Sequence, residues 1–333
     1  MTNLKPLIAP IILSTTMAQK IPEQGGYSRV DNPTRLSLEK KLAKQEQAKF
    51  ALAFSSGSAA IANILAILKS DDEVICHQEI YEGTLRLLIK VFSKFYVKVK
   101  LTDICKLKSV SQKTRIIWLE NVTNSTLQII DVKKICQKLK QKNLLIVVDN
   151  TFATPVFQNP LFLGADVVVH SLTKFISGHH DVTAGAIMLN DKNLFKQLKF
   201  LQHTIGAVPS PFDCFLIERS LETLTLRMKK HQENAQKVTD FLKSNSHISK
   251  VSFPGFSGLV AFWIKGNKQP TLKFLAKLKH IKICHSLGGT QSTIMYPVSM
   301  MTLSTPIDNN LVRLSVGLEN DRIIINDLRQ ALS

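Results

Sequence analysis

Two short segments are apolar along almost their whole length, and they constrain the fold more than any other feature of the chain. Leu144–Asp149 has the sequence LLIVVD and Ala165–His170 has the sequence ADVVVH, and both are rich in β-branched residues. A strand with one face in water alternates apolar and polar residues, whereas a strand that is apolar on both faces must be covered by helices on both sides. The two segments therefore predict buried strands of a parallel sheet.

Helical and strand-like patterns alternate around these two segments. The sequence predicts, in order, a helix from about Thr34, an apolar run Phe50–Phe54, a helix Ala59–Leu68, a strand Asp72–His77, a helix Gly83–Phe95, a strand Thr114–Glu120 and a helix Val132–Lys142. This alternation is typical of an α/β domain with a mainly parallel sheet.

From about Arg227 onward the pattern changes to a different mixture of elements. The sequence there predicts a long amphipathic helix Met228–Leu242, strands Val251–Phe253 and Leu259–Ile264, and a helix Thr271–Leu278. A chain of 333 residues is long enough for one large and one smaller domain. We predict an N-terminal arm (residues 1–34), a large α/β domain (35–226) and a smaller α+β domain (227–333).

Composition excludes several classes of protein. A hydrophobic content of 44% favours a packed core over a disordered chain, and no apolar run is long enough to cross a bilayer. Pro6 and Pro10 interrupt the apolar patch near the N-terminus, so no signal peptide is expected. The five cysteines are scattered without paired spacing, which indicates reduced thiols in a cytoplasmic protein and no metal site.

The net charge of +18 is the unusual feature of the composition. Nucleic acid, an acidic membrane surface or an anionic substrate could each attract such a chain. The lysines are spread along the whole sequence, however, and no aromatic-basic RNA-binding segment or zinc finger accompanies them. We interpret the charge as solvated helix faces and predict neither a nucleic-acid nor a membrane partner.

Three groups of polar residues follow predicted strands, where open α/β sheets bind their ligands. Ser56-Gly57-Ser58 stands between a strand and a helix, and backbone N–H groups at such a turn can hold a phosphate. Asp149 ends LLIVVD, and Ser171-Leu172-Thr173-Lys174 follows ADVVVH. Taken singly, these groups have ordinary alternatives, namely a turn, a helix cap and a surface lysine.

Taken together, the three groups meet the requirements of one cofactor. Pyridoxal phosphate needs a lysine amine for its aldehyde, a carboxylate for its ring nitrogen and a set of hydroxyl and N–H groups for its phosphate. The chain supplies these as Lys174, Asp149 and the Ser56–Ser58 turn with Ser171 and Thr173.

Longer motifs in the chain identify a family. The segments YSRVDNPTR, FSSGSAA, IYEGT, VVDNTFATP, ADVVVHSLTKFISGHHDV, GAVPSPFD, SLGGTQS and LVRLSVGLE follow one another from about Leu13 to the C-terminus. In these segments the chain resembles the cysteine/methionine-metabolism family of pyridoxal phosphate enzymes, which includes cystathionine γ-synthase, γ-lyase and β-lyase and methionine γ-lyase. The resemblance implies the aspartate-aminotransferase-like fold, fold type I. It also implies that residues 35–226 bind the cofactor, that 227–333 bind the substrate carboxylate and that the 1–34 arm reaches a neighbouring subunit.

The resemblance also implies a role for each residue that matches a family motif. Lys174 would bind the cofactor covalently and carry protons, Asp149 would pair with the ring nitrogen, and Tyr81 would stack on the ring and assist proton transfer. The phosphate would be held by Ser56, Gly57, Ser58, Ser171 and Thr173, with Tyr27 and Arg29 supplied by the neighbouring subunit, while Asn124 would lie near the ring hydroxyl. Arg313, with Ser286 beside it, would hold the substrate carboxylate.

The implied activity is cleavage or formation of carbon–sulfur bonds in sulfur amino acids by a cytoplasmic homo-oligomer, a dimer of dimers. The GAVPSPFD segment favours a cystathionine γ-lyase, with γ-synthase, β-lyase and methionine γ-lyase activity as alternatives. The chain departs from the family pattern at several motif positions: Val122 and Ser125 replace prolines, Glu82 replaces a glycine, Gln291 replaces a glutamate, and His285 replaces other residues. The lost prolines, an N-terminal stretch shorter than usual and the loss of a surface segment expected around Gly255–Ser257 motivate a further alternative, a relative that binds the cofactor with little or no catalysis.

Overall fold

The computed structural model describes residues 7–18, 26–299, 303 and 307–333, which form two β-sheets flanked by helices. Residues 1–6 and 19–25 of the predicted arm lie outside the described residues. The strands are β1 (Phe50–Phe54), β2 (Glu73–His77), β3 (Lys98–Thr102), β4 (Thr114–Glu120), β5 (Leu145–Asp149), β6 (Val167–Ser171), β7 (Gly185–Leu189), β8 (Ile248–Ser252), β9 (Leu259–Ile264), β10 (Lys282–Ile283), β11 (Thr293–Met295) and β12 (Leu311–Ser315). The α-helices are α1 (Pro33–Gln45), α2 (Gly57–Leu65), α3 (Glu82–Arg86), α4 (Val132–Leu139), α5 (Thr154–Phe157), α6 (Lys192–Ile205), α7 (Pro211–Leu221), α8 (Leu224–Ser244), α9 (Lys268–Lys277) and α10 (Asp321–Leu332).

The larger sheet has the strand order β1-β7-β6-β5-β4-β2-β3. Strands β2 to β6 pair in parallel, and β7 runs antiparallel to both of its neighbours, β1 and β6. The carboxyl ends of β4, β5 and β6 therefore meet at one edge of the sheet. The predicted α/β class with a mainly parallel sheet is confirmed.

Helices cover both faces of this sheet, as the apolar strand sequences predict. Val167 of β6 lies in one buried cluster with Ile64 of α2. The next residue, Val168, points to the opposite face and lies in a second cluster with Leu38 of α1. These side chains are almost completely removed from water, so alternate residues of a single strand stabilise two separate helical layers.

The smaller sheet has the order β10-β11-β12-β9-β8 and is antiparallel except for the β10–β11 pair. Helices α8, α9 and α10 supply Val238, Phe274 and Leu328 to one cluster with Phe262 of β9 and Val312 of β12. This is the smaller α+β part that the sequence predicts. No helix in the described ranges is both long and apolar enough to cross a membrane.

Several elements differ from the sequence prediction. The single predicted helix Gly83–Phe95 is divided into α3, a π-helical turn Leu87–Val91 and a 3-10 turn Phe92–Phe95. The predicted helix Val132–Lys142 ends earlier, because α4 stops at Leu139. Strands β3 and β7 and helices α6 and α7 were absent from the prediction. The division of the chain at 226/227 stays a prediction, and that boundary falls within α8.

Candidate active site

A cavity of about 360 Å³ opens at the carboxyl ends of the parallel strands. It brings together most of the sequence-predicted site residues: Ser56, Gly57, Ser58, Tyr81, Asn124, Asp149, Ser171, Thr173, Lys174 and Arg313. Ser286 lies beside it and contacts Lys174. Positions up to 257 residues apart in the sequence thus line one cavity, from the turn after β1 at Ser56 to β12 at Arg313.

One end of the cavity has the form of an anion site. Ser56 has extended backbone angles and caps α2, and its side chain accepts a hydrogen bond from the Ala59 N–H at 3.0 Å. A Cβ atom on Gly57 would lie 3.0 Å from Ser171 Cβ, so glycine allows the turn to approach the end of β6. The N-terminus of a helix carries free N–H groups and a partial positive charge, which favour a phosphate.

Asp149 ends β5 and lines the cavity. Thr151 donates to its Oδ1 twice, from the main-chain N–H at 3.0 Å and from the hydroxyl at 2.5 Å. Loss of water raises the pKa of Asp149, and these two hydrogen bonds oppose that rise. No described lysine, arginine or histidine forms an ion pair with it, so the carboxylate suits a protonated ring nitrogen of a ligand.

Lys174 follows β6 and lines the cavity. Its Nζ donates to Ser286 Oγ at 3.2 Å. Burial lowers the pKa of Lys174, and the positive charge of Arg313 lowers it further. Both effects increase the neutral fraction of the amine, which is the form that attacks an aldehyde.

Arg313 is a buried cation whose described neighbours include no carboxylate. It donates to Asn124 Oδ1 from Nη1 and to the Met295 sulfur from Nη2, and its guanidinium carbon lies 5.8 Å from the centre of the Phe152 ring. Burial lowers the pKa of Arg313 to about 10. A buried guanidinium without an acidic partner is suited to bind a carboxylate supplied by a substrate.

Tyr81 is the residue before α3, and its ring lies over the first turn of that helix. A Cβ atom on Gly83 would be 2.4 Å from Tyr81 Cε1, so the small residue makes room for the ring. Tyr81 is 43% exposed and lines the cavity. Loss of water raises its pKa, and the nearby carboxylate of Asp149 raises it further.

Tyr27 and Arg29 are not brought into the cavity of their own chain. The Arg29 guanidinium carbon lies 5.2 Å from the Tyr27 ring centre, and Nη1 donates to the His203 carbonyl. The Tyr27 side chain is 48% exposed. The role assigned to these two residues in a neighbouring subunit stays a prediction.

The structure adds three residues that sequence reasoning missed. Glu120 lines the cavity at the end of β4, and Thr151 holds Asp149. Arg227 of α8 donates to the carbonyl oxygens of Phe175 and Ile176, at 2.6 and 3.0 Å, and so fixes the loop after Lys174. The sequence signal for Glu120 and Thr151 was their position at strand ends. Arg227 directly precedes the predicted helix Met228–Leu242, and no local pattern distinguished it from other charged residues.

Comparisons with known proteins agree with this geometry. The model of the family described as Cys/Met metabolism PLP-dependent enzyme matches residues 3–333. Cystathionine gamma-lyase of Dictyostelium discoideum is 40% identical over 362 residues, covering 99% of this chain and 94% of that protein. Cystathionine gamma-lyase of Rattus norvegicus is 41% identical over 360 residues, covering 98% and 90%.

Solved structures show the same similarity in three dimensions. The crystal structure of metB from Corynebacterium glutamicum superposes with a TM-score of 0.94 at 36% identity, covering 98% of this chain and 93% of that one. Cystathionine gamma-lyase from Lactobacillus plantarum, complexed with L-serine, superposes with a TM-score of 0.92 at 32% identity, covering 97% and 92%. The predicted fold and cofactor are confirmed, and the chain belongs to the Cys/Met metabolism family of enzymes that depend on pyridoxal 5′-phosphate.

Proposed function

We propose that the protein is a carbon–sulfur lyase of the cystathionine γ-lyase type, which converts cystathionine and water to cysteine, 2-oxobutyrate and ammonia. The observation that carries the proposal is that Lys174, Asp149 and the unpaired Arg313 line one cavity. The relatives named cystathionine gamma-lyase, at about 40% identity along nearly the whole chain, support this choice of substrate.

The residues at the two ends of the site have separate tasks in this proposal. When bound, pyridoxal phosphate acts as an electron sink for the carbon from which a proton is removed. Asp149 holds the ring nitrogen in its protonated form, while the α2 N-terminus, Ser56 and Ser171 hold the phosphate. Thr173 keeps the following loop in place, because its hydroxyl donates to the Ala184 carbonyl at 3.2 Å and accepts from the Ala184 N–H at 3.0 Å.

Lys174 and Arg313 act on the substrate itself. Arg313 binds the α-carboxylate, and Asn124, which already accepts a hydrogen bond from Nη1, orients the guanidinium. With the cofactor bound, Lys174 Nζ would take the α-proton and return it to another atom of the substrate–cofactor complex, then take a β-proton and give it to the departing γ-sulfur. Because its pKa is lowered, Nζ gives up a proton more readily than an ordinary lysine, which suits a group that both accepts and returns protons. Tyr81, which also lines the cavity, assists this transfer.

We further propose that the active form is a homo-oligomer, a dimer of dimers in the cytoplasm. The support is that Tyr27 and Arg29 are exposed in their own chain and do not line its cavity. All five cysteines are free thiols, which supports a reducing compartment. Sedimentation should give at least a dimer, and a monomer that binds the cofactor tightly would contradict the proposal.

A substrate comparison tests the activity. Purified enzyme is given cystathionine, homocysteine, methionine, or an activated homoserine ester with cysteine, each in a separate assay. Cysteine and 2-oxobutyrate from cystathionine support the proposal, whereas cystathionine formed from the ester identifies a synthase. Pyruvate and homocysteine from cystathionine identify a β-lyase. If the protein binds the cofactor but forms no product from any of these substrates, the non-catalytic alternative is correct.

A further inference from the structure

Glu120 is the last residue of β4, and it lies in register with Asp149, the last residue of β5. Both side chains line the cavity, so two carboxyl groups stand side by side at the edge of the sheet. Two neighbouring carboxylates that have lost much of their water cannot both ionise without a large electrostatic cost. The surroundings of the two groups decide which of them keeps its proton.

The hydrogen bonds favour the charge on Asp149. Thr151 donates to Asp149 from its main-chain N–H and from its hydroxyl, and both bonds stabilise the anion. Glu120 receives one hydrogen bond, from the Tyr81 N–H. It is 5% exposed, and its titratable surroundings in the described residues contain the Asp149 carboxylate and no cation. Burial raises the pKa of Glu120 well above its usual range, and the charge of Asp149 raises it further.

The hydrogen bond from the Tyr81 main chain connects Glu120 to the start of α3. Tyr81 is the N-cap residue of α3, and its own side chain makes no capping hydrogen bond. Its main-chain N–H donates to Glu120 Oε1 at 2.8 Å, which ties the start of α3 to the end of β4. Since the Tyr81 ring lines the cavity, the position of this main-chain atom sets where the ring can lie.

We propose that Glu120 is a positioning residue that works as a neutral carboxylic acid, fixing the main chain of Tyr81 while leaving the adjacent Asp149 as the charged partner of the cofactor. The inference rests on the proposed role of Asp149 in the same site. A glutamine side chain has nearly the same shape as a protonated glutamate, and like it carries a hydrogen-bond acceptor, a donor and no charge. Glu120→Gln should therefore preserve the arrangement, and Glu120→Ala should lose it.

The first experiment determines the protonation state without any substrate. Infrared spectra of the full-length wild-type and Glu120→Gln holoenzymes are recorded at neutral pH. The Glu120→Gln spectrum is then subtracted from the wild-type spectrum. The expected difference is the C=O stretch of a protonated carboxyl group, with no carboxylate bands. Carboxylate bands would overturn the proposal. Because the readout needs no turnover, its failure is distinguishable from failure of the proposed lyase activity.

The second experiment follows the Tyr81 amide by hydrogen exchange in the same holoenzymes. Glu120→Ala should speed exchange about tenfold, as expected for the loss of one buried hydrogen bond, while Glu120→Gln stays close to wild type. The matched control is Glu73→Ala, which removes a carboxylate of β2 that accepts from Thr114 at 2.6 Å, at the end of β4 opposite to Glu120. An unchanged rate in Glu120→Ala, or equally fast exchange in Glu120→Gln, would show that Glu120 does not hold Tyr81.

Discussion

The amine of Lys174 donates a hydrogen bond to the hydroxyl of Ser286, 3.2 Å away, and this contact joins the two sheets of the molecule. Lys174 follows β6 of the larger sheet, whereas Ser286 precedes β11 of the smaller one. The main chains meet as well: a Cβ atom on Gly288, which has a φ of +82°, would lie 2.7 Å from the Phe175 nitrogen. Glycine is required there by both its backbone angle and the close approach, and the two sheets build one site together.

Removing the amine of Lys174 should abolish the covalent attachment of the cofactor. Borohydride reduction of wild-type enzyme, followed by peptide mapping, should mark Lys174, and Lys174→Ala should carry no label. Turnover should fall roughly 1,000-fold, because the variant has lost its general base and acid. Lys199→Ala is the control, since that lysine pairs with Asp31 on the surface at 3.0 Å. A label on another lysine of the wild type would refute the assignment.

Neutralising Asp149 should weaken the cofactor complex. Asp149→Asn leaves the shape of the side chain but removes the charge that the ring nitrogen needs, so the Kd for pyridoxal phosphate should rise about 30-fold. Equilibrium dialysis or fluorescence titration measures this directly. Asp166→Asn is a suitable control, because Asp166 precedes β6 and pairs with Lys140 at 3.0 Å. Equal cofactor affinity in both variants would argue against the pairing.

The sequence predicted those parts of the site that lie at the ends of strongly patterned strands. LLIVVD and ADVVVH are apolar on both faces, so their position in the middle of the sheet, and that of Asp149 and Lys174 at its edge, followed from burial alone. Strand β3 was missed because it lies at the edge of the sheet, and its sequence, KVKLT, lacks a continuous apolar run. An edge strand is less buried than a central strand and therefore contains fewer apolar residues, so a search for apolar runs in the sequence does not detect it.

Contacts between distant segments were beyond the reach of local sequence pattern. Glu120 is 29 positions before Asp149, and the two become neighbours only through the register of β4 with β5. Arg227 directly precedes the predicted helix Met228–Leu242, where local pattern gives no reason to expect a buried charge, yet its guanidinium is buried against the carbonyls of Phe175 and Ile176. Register and helix packing depend on the whole fold, so these roles required the structure.

Truncating Arg313 should damage substrate binding more than cofactor binding. Arg313→Ala should raise the KM for the amino-acid substrate roughly 100-fold, because loss of a buried charged pair costs about 3 kcal/mol. The visible absorption of the bound cofactor should remain, which separates this effect from misfolding. Arg115→Ala, on a surface arginine that pairs with Asp72 at 3.2 Å, should leave KM unchanged. An unaltered KM in Arg313→Ala would place the carboxylate site elsewhere.

His231 should make the folded protein lose stability as the solution becomes acidic. Its ring is buried in α8, donates from Nδ1 to the Val316 carbonyl at 2.7 Å, and packs edge-on against Phe175 with ring centres 5.1 Å apart. Burial lowers its pKa from 6.5 to about 4, an effect that the Val316 hydrogen bond partly offsets. In the unfolded chain, the His231 imidazole binds a proton as the pH falls through 6.5. In the folded chain, the same imidazole stays neutral until the pH approaches 4.

The contribution of His231 is therefore fully present above pH 6.5 and declines by about 3 kcal/mol as the pH falls to 4. Urea unfolding of wild type and His231→Gln across this range measures it. The free energy of unfolding should fall more steeply for wild type, since glutamine takes up no proton, and the two curves should converge toward low pH. The exposed His247, changed to glutamine, should give a curve parallel to wild type. Parallel curves for His231→Gln and wild type would mean that the buried imidazole does not resist protonation.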